Sequence, residues 1–277
     1  KTQQSLYAVM KNDAGAAAAI NPKTGEILAL VSTPSFNPNL LQTYVPDATQ
    51  TAWNEAVKSP FTNRFKIGYA PGSVFKLVTA AIGLKSGKLN PDEAVPISGL
   101  TWQPDSSWGA YQVTRVKDPG KAVNLSDAFL YSDNIYFARQ ALNIGRDAFE
   151  EGAAGFGIGE DLPIDYPFYR SQLSNKGLTS SVLLADTGYG QGEVLASPLH
   201  IALFYSALAN NGDIMQPILE LKGGAAAPQV WKAQAIASGD VQRLSNDLIQ
   251  VVENPAGSGY TKTGARTKML GKTGTAE

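Results

Sequence analysis

The chain has 277 residues, 43% of them hydrophobic, which is enough to bury a core in one large domain or two small ones. Its 23 basic and 24 acidic residues leave a formal net charge of -1 with no long run of one sign, so a nucleic-acid partner has no electrostatic support. There is no Cys, which removes disulfides, thiolate metal sites and Cys nucleophiles, and the only His, His200, has no second imidazole with which to share a metal; neither a metal nor a cofactor is expected.

Residues 1–12 read as a helix with Leu6, Val9 and Met10 on one face, not as a signal peptide. No apolar run reaches the roughly 18–20 residues of a membrane span, so a membrane anchor, if the natural protein has one, is expected to lie outside this chain. "GAAAAINPKTGEILALVSTPS" gives a strand, a turn and a second strand, the turn chemistry being supplied by Asn21-Pro22-Lys23-Thr24-Gly25. Residues 35–70 read as mixed, with loop chemistry between Pro38 and Pro46. "PGSVFKLVTAAIGLKSGKL" is apolar nearly all round in its middle, the pattern of a buried helix, opened after Pro71-Gly72 and ended near Gly87.

Residues 91–120 are loop-rich, with Trp102, Trp108 and Tyr111 as expected anchors. "NLSDAFLYSDNIYFARQALNIG" reads as a helix, an interruption and another helix. "SPLHIALFYSALANNG" is a helix with Ser197 as N-cap and Pro198 at N1; His200 belongs to its face and is not a catalyst. "GDVQRLSNDLIQVVEN" is a further helix stopped by Pro255, and a strand over "KMLGKTGTAE" closes the chain. Two leading strands, many helices and a closing strand make an α+β fold with helices packed on a sheet.

Three stretches carry possible chemistry. Ser73 and Lys76 stand one helical turn apart, so hydroxyl and amine can meet. A serine needs a base to act as a nucleophile, and a lysine can serve when burial lowers its pKa. The helix N-terminus adds free N–H groups where an oxyanion would form. Ser132-Asp133-Asn134 interrupts a helical pattern and offers the polar partners that a buried Lys requires. The third is a Lys-Thr-Gly triplet, which occurs three times. Lys23-Thr24-Gly25 reads as a hairpin tip, and Lys262-Thr263-Gly264 lies in a Gly-rich polar stretch read as a surface loop. Lys272-Thr273-Gly274 has apolar residues before it and small residues around it. On a strand, Lys272 and Gly274 would point one way and Thr273 and Thr275 the other, and an edge there could pair with a peptide.

Taken together and in this order, these elements resemble the set shared by serine β-lactamases and penicillin-binding proteins. The chain is most similar to the transpeptidase domain of a class B penicillin-binding protein, through "INPKTGEILALVSTPSFNPN", "YAPGSVFK", "YSDN", "DTGYGQGE", "SPLHIALFYSALANNG" and "GKTGTAE". "SWGAYQVTR" and "GEDLPIDYPFY" resemble the low-affinity, methicillin-resistance type in particular. The resemblance implies the α/β-sandwich transpeptidase fold and covalent binding of β-lactams. It implies cross-linking of peptidoglycan stem peptides ending in D-Ala-D-Ala at the outer face of the cell membrane. It implies that Ser73 is acylated, Lys76 is its base, Ser132 relays a proton to the leaving D-alanine, and Asn134 orients Lys76 and the substrate amide. Lys272 and Thr273 would hold the substrate carboxylate, the N–H groups of Ser73 and Thr275 would form the oxyanion hole, and Gly274 and Gln191 would line the cleft.

In that family the Lys-Thr-Gly strand is followed by further strands and a terminal helix, so residues 1–277 are expected to be one transpeptidase domain truncated after that strand, with membrane anchor and N-terminal modules outside it. Two other classes share the Ser-x-x-Lys chemistry: a serine β-lactamase, which passes the acyl group rapidly to water, and a β-lactam sensor, which keeps it. A class A β-lactamase needs a Glu-x-x-Leu-Asn stretch. The nearest approach, Glu193-Val194-Leu195-Ala196, lacks the Asn.

Overall fold

The computed structural model describes residues 1–42, 44–221, 227–261 and 268–276. After helix α1 (Thr2–Met10), strands β1 (Gly15–Ile20) and β2 (Ile27–Thr33) form an antiparallel hairpin with Gly15 opposite Thr33 and Ala19 opposite Ala29. Its turn is closed by the residue types that the sequence supplies: Asn21 Oδ1 accepts from the Lys23 N–H (3.0 Å) and Asn21 O from the Gly25 N–H (2.9 Å). The first Lys-Thr-Gly is therefore a hairpin tip; the second lies outside the described residues. Helix α1 lies on β2, where the Gln3 carboxamide replaces a strand partner, accepting from the Leu30 N–H (2.8 Å) and donating to Leu30 O (2.6 Å). One strand covers less than the helix face read from the sequence: Leu6 and Met10 are half-buried, but Val9 is 80% exposed.

Residues 35–70, which read as mixed, contain helix α2 (Asp47–Glu55) just after the loop stretch that ends at Pro46. None of its residues is buried, so it carries no apolar stripe to read. The expected buried helix begins as a 3-10 turn, Gly72–Phe75, and continues as α3 (Lys76–Lys85), buried from Lys76 to Gly83. Strands β3 (Thr101–Trp102) and β4 (Val113–Thr114) pair antiparallel in the loop-rich region. Aromatic residues pin that region to the helices: Trp102 meets Trp108 edge-on at 5.8 Å, the Trp108 indole N–H donates to Ser181 Oγ (2.9 Å), and the Tyr111 hydroxyl donates to Asp186 Oδ1 (2.6 Å).

Helices α4 (Leu125–Leu130) and α5 (Asn134–Ile144) are separated by the expected interruption. Helices α6 (Arg146–Ala154) and α7 (Ser181–Thr187) were not read from the sequence; α7 is two turns long, too short to show a period. Helix α8 (Pro198–Ser206) has Ser197 at its N-cap, where Oγ accepts from the His200 N–H (3.3 Å), and Pro198 in its first turn. Strands β5 (Ile214–Met215) and β6 (Val230–Lys232) pair antiparallel, and α9 (Ser238–Glu253) ends just before Pro255. Helix α3 packs on α5, α6, α8 and α9, while α8 covers β1. The result is an α+β domain with helices against an antiparallel hairpin, and the helix that bears Ser73 and Lys76 runs through its centre.

One expected element is corrected. Residues 268–276 form no strand. A strand exists through its ladder, and among the described residues no backbone lies beside this segment in register. It is held instead by the Gly271 N–H, which donates to Leu248 O (3.3 Å), and by its packing against the Pro71–Val74 turn. Gly274 faces Pro71 and Val74, while Thr273 and Thr275 line the cleft and Lys272 reaches Ser132.

Replacing the α8 cap, Ser197→Ala, orphans an N–H of a core helix and should lower unfolding free energy by about 1 kcal/mol. Denaturant unfolding measures this; an unchanged midpoint would show that the cap contributes nothing.

Candidate active site

Because α3 is apolar on every side, Lys76 has no exposure at all, and its amine must find partners inside the protein. Its Nζ lies 2.9 Å from Ser73 Oγ, 2.8 Å from Ser132 O, 3.2 Å from Ser132 Oγ and 2.7 Å from Asn134 Oδ1. The local fold explains why Ser132 can offer two of these oxygens. The Ser132 N–H donates to Phe129 O (3.1 Å) and the Asp133 N–H to Ala128 O (2.9 Å), the pairing that ends a helix with a left-handed residue, and Ser132 stands at φ 54°. Glycine usually fills that position. Asp133 then caps α5, its Oδ1 accepting from the Tyr136 N–H (3.0 Å).

The Lys272 amine reaches the same group, 2.8 Å from Ser132 Oγ. Ser73 Oγ, Lys76 Nζ, Ser132 Oγ and Lys272 Nζ thus form an unbroken chain of hydrogen-bonding distances. Burial, and secondarily the Lys272 charge, hold the Lys76 pKa well below its ordinary value, with Asp133 acting weakly the other way. Burial also lowers Lys272, to about 8. A neutral Lys76 has a lone pair for the Ser73 O–H and two N–H donors for the oxygens of Ser132 and Asn134.

Backbone packs closely against the turn that carries Ser73. The Gly72 N–H donates to Gly190 O (2.9 Å). Gly190 has φ 80°, and a Cβ there would come within 2.1 Å of Gly72 O; Gly72 has φ 55°, and its Cβ would come within 2.2 Å of Thr275 O. Only glycine fits either place. In front lies a cleft of about 430 Å³ lined by Ser73, Ser132, Asn134, Gln191, Thr273 and Thr275, among others. Gln191 Nε2 approaches Thr275 O at 3.4 Å, and the Thr273 hydroxyl donates to Ser258 Oγ (3.2 Å).

The residues singled out from the sequence therefore converge, save that Gly274 backs the cleft without lining it. Tyr189, Ser258 and Arg115 line the cleft and went unassigned. Arg115 ends the stretch "SWGAYQVTR", where the only signal was a single cation in an otherwise uncharged run. Among the described residues no Asp or Glu lines the cleft. The Glu193 carboxylate is engaged by the Asn175 N–H (2.7 Å). His200 is buried elsewhere, between Ser171 Oγ (2.7 Å) and Phe156 O (2.9 Å), and burial pushes its pKa down to about 4. That fits a core residue.

Residues 15–277 match the family described as penicillin binding protein transpeptidase domain. Penicillin-binding protein 3 of Bacillus subtilis (strain 168) is 45% identical over 277 residues, covering 100% of this chain and 41% of its own. Peptidoglycan D,D-transpeptidase PbpA of Mycobacterium tuberculosis (strain ATCC 25618 / H37Rv) is 34% identical over 232 residues, covering 80% of this chain and 45% of its own. The chain spans less than half the length of these relatives. Among solved structures, the ceftriaxone acyl-enzyme complex of penicillin-binding protein A from M. tuberculosis superposes with TM-score 0.82 at 29% identity, covering 99% of this chain and 64% of that one. The penicillin G acyl-enzyme complex of the same protein gives 0.77 at 27%, covering 89% and 60%.

The electrostatics of the two amines are directly measurable. In lysine-labelled protein followed by carbon NMR, two side chains should titrate well below 10.5, Lys272 at about 8 and Lys76 also depressed. Assignment comes from Lys272→Arg and Lys76→Arg. Two ordinary titrations would overturn the description of the site.

Proposed function

We infer that this chain, which belongs to the penicillin-binding protein transpeptidase family, acts as a peptidoglycan D,D-transpeptidase through an acyl-enzyme on Ser73. The observation that carries the reading is Ser73 Oγ at 2.9 Å from a fully buried amine whose pKa burial has lowered. Neutral Lys76 takes the Ser73 proton as Oγ attacks the carbonyl of the penultimate D-alanine. The N–H groups of Ser73 and Thr275 receive the oxyanion. As the C–N bond breaks, Ser132 gives its proton to the departing D-alanine amine and recovers one from Lys76, 3.2 Å away. Lys76 is then neutral again. The amine of a second stem peptide attacks the ester, and the same relay runs in reverse.

In this reading Lys272 and Thr273 hold the substrate's terminal carboxylate, Asn134 orients Lys76 and the substrate amide, and Gln191 lines the cleft. A β-lactam enters by the same attack, but its leaving nitrogen stays tethered. Absence of a cleft carboxylate among the described residues disfavours a class A β-lactamase, which needs a base for water. The enzyme would work at the extracytoplasmic face of the cell membrane. The finer assignment to the low-affinity, methicillin-resistance type rests on "SWGAYQVTR" and "GEDLPIDYPFY" alone, and predicts slow acylation by methicillin.

Intact-mass and peptide mapping after penicillin treatment should find one adduct, on Ser73. A stem-peptide substrate should release D-alanine and pass its acyl group to an added amine. An adduct elsewhere would overturn the nucleophile; rapid hydrolysis of the adduct, or no D-alanine release, would favour the hydrolase or the sensor instead. Lys76→Arg should abolish acylation, since a guanidinium keeps its proton.

The base must be neutral, so the acylation rate should rise with pH through the lowered Lys76 pKa and be lost as pH falls below it. Lys272→Ala removes a cation that lowers that pKa, so the acidic limb should move to higher pH and the rate fall by about 10²-fold. Lys23→Ala, at the hairpin tip, should stay within about 2-fold. Equal damage from Lys23→Ala would undo the choice among the triplets.

A further inference from the structure

Arg115 follows β4 and has a side chain with no exposure, although its residue lines the cleft wall. Its Nη1 pairs with Asp133 Oδ2 at 2.7 Å, both side chains fully buried. Nη2 meets Asp118 Oδ1 (2.8 Å) and Ile97 O (3.2 Å), and the Nε–H donates to Gly99 O (2.8 Å). The residue before it makes a second link, Thr114 O accepting from the Asn134 Nδ2–H (2.9 Å). The turn that supplies three oxygens to Lys76 is thus tied twice to one short stretch of the opposite wall. Those ties add to the two helix-ending hydrogen bonds that hold Ser132 at φ 54°, a conformation that a serine seldom adopts.

The charges point the same way. Around Lys76 stand Ser73 on its own element, Ser132, Asp133 and Asn134 from the turn, the Phe137 ring from α5, and Lys272 from the C-terminal segment through Ser132. Asp133 alone in that set is anionic. Left unpaired in the interior, its carboxylate would favour an ammonium at Lys76, which cannot act as a base. Facing Arg115 are Asp133 and Asp118, so the guanidinium is the group that neutralises it.

We propose that Arg115 is a positioning residue for acylation: it braces the Ser132–Asp133–Asn134 turn against the β4 wall and, by holding Asp133 in an ion pair, keeps that carboxylate from becoming the counter-ion of Lys76. This rests on Ser73 and Lys76 being the nucleophile and its base.

The test uses the full chain and penicillin G, with the second-order rate of Ser73 acylation followed by mass across the pH range in which the protein stays folded. Arg115→Met should slow acylation at neutral pH by about 10-fold or more and move its acidic limb up by about one pH unit or more, the scale of an opposite charge at close range. Asp133→Asn should move the limb down. The double variant, Arg115→Met with Asp133→Asn, removes both charges and should bring the limb back towards wild type. Arg115→Lys keeps the charge without the planar fork, so it should lose rate with the limb little moved.

A merely structural role for Arg115 predicts slower acylation in every variant with one unchanged limb, and that result would overturn the proposal. So would a double variant whose limb stays with that of Arg115→Met. If Arg115→Met fails to fold, the directions shown by Asp133→Asn and Arg115→Lys decide: an unmoved limb in the former overturns it. Should the wild-type chain gain no Ser73 adduct, the functional reading itself falls; should it acylate while the limbs coincide, only the role of Arg115 does.

Discussion

Burial of one amine organises this molecule. Lys76 has no exposure, and an ammonium in such a place costs several kcal/mol unless it is paired or loses its proton. The surroundings do some of both. Three oxygens of Ser132 and Asn134 solvate the nitrogen, while the second amine, Lys272, shares Ser132 Oγ and opposes a charge on it. A lone pair is left for the nearby hydroxyl. The same apolar helix that would make a lysine a defect elsewhere is what, on the proposed reading, fits it to act as a base for Ser73.

Such an arrangement requires backbone as much as side chains. The turn that carries Ser73 is closely confined, because Gly190 and Thr275 both approach Gly72 at distances that leave no room for a methyl group on either glycine. The segment bearing Lys272 needs this contact all the more because it has no ladder among the described residues. Its position is set by fit against Pro71–Val74 and by the reach of its lysine to Ser132. Preorganisation here comes from chain segments far apart in sequence, each unremarkable alone.

That is also why the site was legible in unequal parts. Ser73 with Lys76, and the Ser132–Asn134 break, could be read because the chemistry coincides with local structure: a helix period in one case, a helix end in the other. The hairpin tip at Lys23-Thr24-Gly25 and the capped helix after Ser197 were legible for the same reason. Choosing Lys272 over Lys23 needed only the character of the flanking residues. Arg115 was not assignable, since what gives it meaning is Asp133, a partner from another stretch of chain. Helices α2 and α7 were missed because one buries nothing and the other is too short to show a period. The closing strand was expected from a pattern that a ladder must complete, and pattern alone does not supply a partner.

The fate of an ester on Ser73 follows from what the cleft lacks as much as from what it holds. Water is a poor nucleophile until a base removes its proton, and among the described residues no carboxylate lines the cleft to do so. A neutral amine is a far stronger nucleophile than neutral water, and the Ser132–Lys76 chain offers a route for the proton it must shed. An ester formed here is therefore better placed to be taken by an amine than by water. On the proposed reading a β-lactam's leaving nitrogen stays tethered in the cleft, in the way of an incoming amine, so its ester would persist. In that same reading, cross-linking and covalent capture of the drug are two outcomes of one arrangement: a buried amine of lowered pKa beside a serine, in a cleft lined, among the described residues, by no acid.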